Sequence, residues 1–289
     1  MPALRFSPSA PSGPTAAAAQ PGVRARALRL LALALILLGG LALLDALVTL
    51  LWQEPISALY ALIRQDDLGS DLAKVERAAP TPLERTALAS IADQSARIAF
   101  LARQLQQHAR DGSPVGRIEI PEVGADYVVV DGTDTEDLES GPGIYRETSF
   151  PGIPGTTAIA GHRTTYLAPF RDINLLRPGN HIDLLMPYAH FTYTVTGQRV
   201  VWPSDVSAAV SRVGYSRLVL SACTPLFSAE KRLLVYARLT RAVPVGAART
   251  LPGGEEPRAI ETPLVRRAAR RPLPAMLVSL QPNGVSPLV

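Results

Sequence analysis

The sequence predicts a mainly β protein, a closed or nearly closed barrel behind a membrane-crossing helix and a helical extension. Three observations predict it. From Gly116 onward, short runs rich in Val, Ile, Leu, Tyr and Thr alternate with Gly, Pro, Asp and Asn punctuation. Before them, apolar residues between 53 and 112 recur at helical spacing. Earlier still, Leu30 to Leu51 is 22 residues of Leu, Ala, Ile and Val interrupted only by Gly39, Gly40, Asp45 and Thr49.

At 1.5 Å rise per residue the apolar run is long enough to cross a hydrocarbon core of about 30 Å. It exceeds the h-region of a cleaved signal peptide, about 7–15 residues, and no small-x-small cleavage site follows it. Arg24, Arg26 and Arg29 precede it and Trp52 follows at interface depth, so the positive-inside rule puts the N-terminus in the cytosol and the rest outside. The 289 residues carry a net charge of +4, which invites a nucleic-acid reading. Residues 1–29 hold four arginines and no acid, however, and the remainder carries equal numbers of acids and bases. The excess is therefore the flank of a membrane anchor and not a nucleic-acid surface.

The elements divide the chain as follows. Residues 1–29 form a basic cytosolic leader, Pro/Ser/Ala/Gly-rich and disordered through residue 23, and 30–52 form the anchor. Residues 53–115 form a helical extracytoplasmic linker. Within it, Thr81-Pro82-Leu83-Glu84 has the spacing of a capping box with proline at the first helical position. Leu88, Ile91, Ile98, Leu101 and Leu105 then mark a helix face that packs on the domain it carries. The barrel occupies 116–241, with strands expected at Arg117–Ile120, Tyr127–Val130, Thr157–Ala160, His181–Met186, Phe191–Val201, Leu218–Ala222 and Leu233–Arg238. Gly141-Pro142-Gly143 reads as a turn. Residues 242–289, rich in Pro, Gly and Arg, read as a disordered tail with no second apolar span.

Three residues carry the candidate chemistry. His162 follows the run Ala158 to Gly161, Cys223 follows Leu218–Ala222, and Arg232 begins Leu233–Arg238. If those strands are neighbours, all three lie at one rim. Taken singly, each has a structural reading: an inert buried thiol, a rim histidine bonded to backbone, an arginine paired with Glu230. Taken together they suit acyl transfer, in which a thiolate attacks a carbonyl, an imidazolium protonates the leaving amine and a guanidinium steadies the oxyanion. As the lone cysteine, Cys223 excludes an intramolecular disulfide and a Cys-rich zinc site. His108, His181 and His190 lack metal-ligand spacing, and neither a phosphate loop nor a dinucleotide fingerprint occurs, so no metal or cofactor is expected. Ser221 lacks the glycine-framed elbow of a hydrolase serine. Between Glu119 and Glu147 nine acids face only Arg146, which reads as a solvated edge or as an attractor for an amine-bearing partner.

The stretches Gly141-Pro142-Gly143-Ile144-Tyr145, Ala158-Ile159-Ala160-Gly161-His162-Arg163-Thr164-Thr165-Tyr166, and Cys223-Thr224-Pro225 leading to Arg232-Leu233-Leu234-Val235 resemble those of sortases. These are the membrane-anchored cysteine transpeptidases of Gram-positive bacteria. The resemblance covers about residues 116–241. The Ala-Gly-His-Arg-Thr-Thr-Tyr block followed by Ala168-Pro169-Phe170 is most similar to the class E sortases of actinobacteria. It implies an eight-stranded β-barrel with Cys223 as nucleophile, His162 as general acid/base and Arg232 as substrate and oxyanion stabiliser.

By the same resemblance the substrates are secreted proteins bearing a C-terminal LPXTG-like, often LAXTG-like, sorting signal, cut between Thr and Gly. The acyl chain is held as a thioester and passed to a cell-wall precursor amine, or to a pilin lysine in the polymerising class. The helical 53–112 extension resembles that class, but its Asp-Pro-aromatic lid and C-terminal span do not appear. The chain also departs from the family pattern Thr-Leu-x-Thr before the cysteine, having Val219-Leu220-Ser221-Ala222. The lost hydroxyl at Ala222 motivates the other alternative, a catalytically inactive wall-binding barrel.

Overall fold

The computed structural model describes residues 23–51, 55–205, 207–249 and 259–262. The chain divides into two compact units between residues 52 and 53. In the first, α1 (Val23–Leu51) contains a segment, Ala25–Val48, whose mean hydropathy of 2.5 and length suit a membrane crossing. Its leucines point outward all round, as a helix solvated by lipid requires. The leader through residue 22 and Trp52 lie outside the described residues.

The second unit opens with α2 (Pro55–Arg77), α3 (Pro82–Ser90) and α4 (Gln94–His108). The capping box is formed: Glu84 N–H donates to Thr81 Oγ1 at 3.2 Å, and Thr81 N–H to Glu84 Oε2 at 2.7 Å. The single helix face expected from Leu88 to Leu105 is split between two helices. Asp93 is the reason: its carboxylate accepts the Ala96 N–H at 2.7 Å and starts α4 afresh, leaving Ile91 in the connection. Buried Arg97 fastens this corner, donating to the carbonyls of Leu88, Ile91 and Ala247.

Eight strands then close a barrel: β1 (Pro114–Ile120), β2 (Ala125–Asp131), β3 (Gly143–Ile144), β4 (Thr156–Ala160), β5 (His181–Met186), β6 (Ala189–Val201), β7 (Arg217–Thr224) and β8 (Lys231–Pro244). Their order is β6-β5-β1-β2-β3-β4-β7-β8, and antiparallel β6–β8 pairing completes the ring. Only β2–β3 and β4–β7 are parallel. Helix α5 (Thr135–Ser140) lies between β2 and β3, and α6 (Ser207–Val210) between β6 and β7. Seven strands sit where the β-rich runs lie. The eighth, β3, starts at the last residue of the segment read as a turn, and its two residues are too few to show alternation. Gly143 is needed there because a Cβ would overlap the Gly132 carbonyl.

Strand β8 continues past Arg241 to Pro244. Beyond the reach of β7 its free edge pairs with β9 (Ile260–Glu261), Arg241 opposite Glu261 and Ala242 opposite Ile260. Residues 250–258 and 263–289, most of the expected tail, lie outside the described residues. Alternate residues of the strands fill the barrel: Ile118, Ile120, Ile159, Phe191, Tyr193, Leu218, Leu220 and Val235 are each almost fully buried. At about 1.5–3 kcal/mol for each large side chain, this interior dominates the stability of the unit.

Helix α2 is part of the barrel wall. Because β3 reaches only Val130 and Asp131, the outer edge of β2 is unpaired at Val128. The Gln65 side chain fills the gap as a strand would, accepting the Val128 N–H at 2.8 Å and donating to Val128 O at 3.1 Å. It also donates to Ser140 O at 2.7 Å, while Leu68 and Leu72 pack on Val128 and Val130. Gln65→Ala leaves buried backbone groups without partners and is expected to cost about 2–4 kcal/mol. Urea unfolding of the wild type and variant checks this, and a loss under about 0.5 kcal/mol, the level of an ordinary surface change, contradicts it.

Candidate active site

The site is set by the register of three strands. Parallel pairing places Ala158 opposite Val219 and Ala160 opposite Ser221; antiparallel pairing places Val219, Ser221 and Cys223 opposite Tyr236, Leu234 and Arg232. Side chains alternate along each strand, so Leu218, Leu220 and Ala222 enter the barrel while Val219, Ser221 and Cys223 face outward. Outward rows therefore run Ala158–Val219–Tyr236, Ala160–Ser221–Leu234, and finally Cys223–Arg232 at the open end. His162 stands two residues beyond Ala160 at that same end. The structure thus gathers all three expected residues at one rim, each half-buried.

A tight fold of the chain holds His162. Gly161 N–H donates to Ser221 O at 3.1 Å, continuing the ladder, and Phe170 N–H donates back to His162 O at 2.9 Å. The Phe170 ring plugs the barrel end so closely that a Cβ on Gly161 would lie 2.6 Å from it. Beyond His162, Tyr166, Leu167 and Ala168 all have φ between 46° and 63°, a left-handed run that side chains disfavour. Neighbours hold the strained segment: Tyr127 donates to Leu167 O at 3.2 Å, Tyr166 donates to Glu139 Oε1 at 2.9 Å, and the Tyr60 ring of α2 meets Tyr166 edge-on.

The His162 ring lies 5.3 Å from the Tyr166 ring, centroid to centroid. Its Nε2 is buried without a hydrogen-bond partner among the described residues, an arrangement that reserves the nitrogen for proton exchange. Burial lowers the imidazole below its ordinary 6.5, and the Glu139 carboxylate pulls it partly back. At neutral pH the resting imidazole is uncharged.

Arg232 anchors its guanidinium on the carbonyls of Ala229 and Lys231, at 3.0 and 3.2 Å, and forms no salt bridge among the described residues. It lines a cleft of about 150 Å³ with Tyr145, Trp202, Asp205, Ser221 and Leu234. Exposed Trp202, Leu226 and Phe227 add apolar surface around this end. A larger groove of about 470 Å³ between α2, α3 and α4 includes His108 but none of the three residues.

Sequence reasoning missed Arg163. The guanidinium is 5% exposed and donates to Arg171 O at 2.9 Å, Asn174 Oδ1 at 2.6 Å, and Cys223 O and Thr224 Oγ1 at 3.3 Å each. No local sequence signal distinguishes such an arginine from a surface one, because its partners lie on two separate segments, the 171–174 turn and the end of β7. Ala222 also differs from its expected place beside the nucleophile: it is 3% exposed in the barrel interior, on the opposite face from Cys223. Ser221, also outward, accepts a long bond of 3.5 Å from Tyr145. The acids between Glu119 and Glu147 do not form one solvated edge. Asp131 and Asp137 are buried, and burial with the Asp137 charge pushes Asp131 up to about 6. Arg146 pairs with Asp111 and Asp131, and Arg117 with Asp126. His181 and His190 sit at opposite ends of the β5–β6 ladder.

An eight-stranded barrel thus carries cysteine, histidine and arginine together on one outer rim. Residues 118–240 match the family model of the Sortase domain. Sortase D of Bacillus subtilis is 33% identical over 130 residues, covering 44% of this chain and 64% of that protein. Sortase SrtE1 of Streptomyces coelicolor is 32% identical over 98 residues, 31% of this chain and 28% of that protein. The chain spans less than two thirds of the length of these curated relatives. Among solved structures, sortase E from Streptomyces avermitilis is 32% identical with a TM-score of 0.43, over 48% of this chain and 99% of that one.

The electrostatics of His162 are testable without substrate. In an NMR titration of the imidazole, the midpoint is expected below 6.5, and Glu139→Gln is expected to lower it further by removing the charge that favours the imidazolium. A wild-type midpoint at or above 6.5, or an upward shift in the variant, contradicts the assignment.

Proposed function

We propose that the chain is a membrane-anchored cysteine transpeptidase that cleaves an LPXTG- or LAXTG-like sorting signal between Thr and Gly and transfers the acyl chain to a cell-wall precursor amine. The observation that carries this reading is the register pairing of Cys223 with Arg232 on the outer face, beside His162. Sorting-signal proteins and the acceptor amine are the partners it calls for. Single-pass anchoring through α1, with the N-terminus cytosolic, puts the barrel on the side where both are found. The domains follow the same logic: leader 1–29, anchor 30–52, helical linker 53–115, catalytic barrel 116–241 and tail 242–289.

The chemistry proceeds in two displacements. The Cys223 sulfur attacks the threonine carbonyl carbon as its proton passes to His162, and Arg232 faces the oxygen on which negative charge develops. The C–N bond then breaks, His162 returns the proton to the departing glycine amine, and a thioester remains. An incoming amine attacks that carbonyl, loses a proton to His162, and expels the sulfur, which recovers the proton. The uncharged resting imidazole suits the first proton transfer. Trp202, Leu226 and Phe227 offer apolar surface to the leading side chain of the signal. The inward position of Ala222 separates its missing hydroxyl from the thiol, which favours catalysis over the inactive wall-binding alternative. Transfer to a pilin lysine uses the same groups and differs only in the acceptor.

The test uses the full chain in detergent with LPXTG and LAXTG peptides. Cys223→Ala is expected to abolish cleavage, and His162→Ala and Arg232→Ala to lower kcat/KM by about 10²–10⁴-fold, with melting temperatures near wild type. A methanethiosulfonate reagent should label wild-type Cys223 rapidly. Cleavage retained by Cys223→Ala, or an inert thiol, defeats the reading.

A further inference from the structure

We propose that Arg163 is the positioning residue of this site: its guanidinium ties the His162 loop to the exit of β7 and holds a buried positive charge beside Cys223. The proposal rests on the transpeptidase reading and adds a group that never touches substrate. Its basis is the contact set. Four hydrogen bonds join the residue next to His162 to the Cys223 carbonyl and Thr224 hydroxyl on one side, and to the turn carrying Arg171 and Asn174 on the other. The two halves of the site come from strands whose backbone pairing ends near Ala160 and Ser221, so beyond that point the guanidinium replaces the ladder.

A buried cation is costly unless it is solvated or paired. All four acceptors of Arg163 are neutral oxygens, and it forms no salt bridge among the described residues. Its positive field therefore reaches the adjacent thiol. Burial disfavours the charge on Arg163, while the Asp172 carboxylate and the Cys223 thiolate favour it and Arg171 opposes it. The other charged groups at this end of the rim are Arg232 across the β8 register and His162 when protonated. A lysine could keep the charge but not the planar fork that reaches two other segments at once.

The experiment exploits the single cysteine: the pH dependence of iodoacetamide alkylation in the full chain reports the Cys223 thiolate alone. Arg163→Gln is expected to raise the alkylation midpoint by about one pH unit and to slow alkylation at pH 7 about tenfold, each unit being a tenfold change in thiolate. Arg163→Lys should hold the midpoint within about 0.3 unit yet lower kcat for the sorting peptide at least about tenfold, because the fork is lost. A wild-type midpoint in Arg163→Gln overturns the proposal. If that variant does not fold, Asn174→Ala decides: it removes one contact of the fork, so kcat should fall with the midpoint unchanged, and unaltered kcat overturns the proposal. Alkylation does not depend on turnover. A failure of the transpeptidase reading therefore registers separately, as peptide cleavage by Cys223→Ala.

Discussion

Everything at the open end of the barrel depends on the register in which β4, β7 and β8 are hydrogen-bonded. Parallel pairing of Ala160 with Ser221 and antiparallel pairing of Cys223 with Arg232 fix which side chains share a row. A slip of one residue in β7 would turn Cys223 into the barrel and push Ala222 out to the rim, because strand side chains alternate with period two. The apolar interior forbids that slip. Leu218 and Leu220 are fully buried together with Ile159 and Val235, and exposing them would forfeit about 1.5–3 kcal/mol each. The same burial that stabilises the fold therefore aims the thiol and the guanidinium outward.

Backbone pairing stops short of the reacting groups, and side chains take over from it. Gly161 leaves room for Phe170 to seal the barrel end, which holds the loop after His162 close to the β7 exit. Arg163 bonds across the remaining gap. The left-handed residues 166–168 are kept in place by Tyr127, Glu139 and the start of α2. The helical extension thus reaches the site at two removes. Gln65 completes the edge of β2 and binds the last carbonyl of α5, the helix that carries Glu139, whose charge acts on His162.

The strand runs, the apolar helix, the Thr81 capping box and the three rim residues were legible because each is a local pattern: alternation, length, a fixed four-residue spacing, an ionisable group at a strand end. Alternation also implied that Ala222 and Cys223 face opposite ways, so the inward methyl was readable in principle. What was not legible is what depends on distant partners. Two-residue β3 is too short for any period. Gln65 resembles any solvated helix residue until the gap beside Val128 is known. Asp93 competes with a continuous apolar periodicity, and its single carboxylate outweighs it by capping a new helix. Arg163 gathers acceptors from segments up to 61 residues away, which no local pattern encodes.

In the proposed reaction the Cys223 sulfur carries the acyl chain. Intact-mass spectrometry of the full chain, incubated with an LAXTG or LPXTG peptide and no acceptor amine, tests it most directly. The account predicts an adduct equal to the peptide fragment ending at Thr, localised to Cys223 and discharged when a strong amine nucleophile is added. Peptide cleavage that proceeds with no covalent adduct on Cys223 would contradict it.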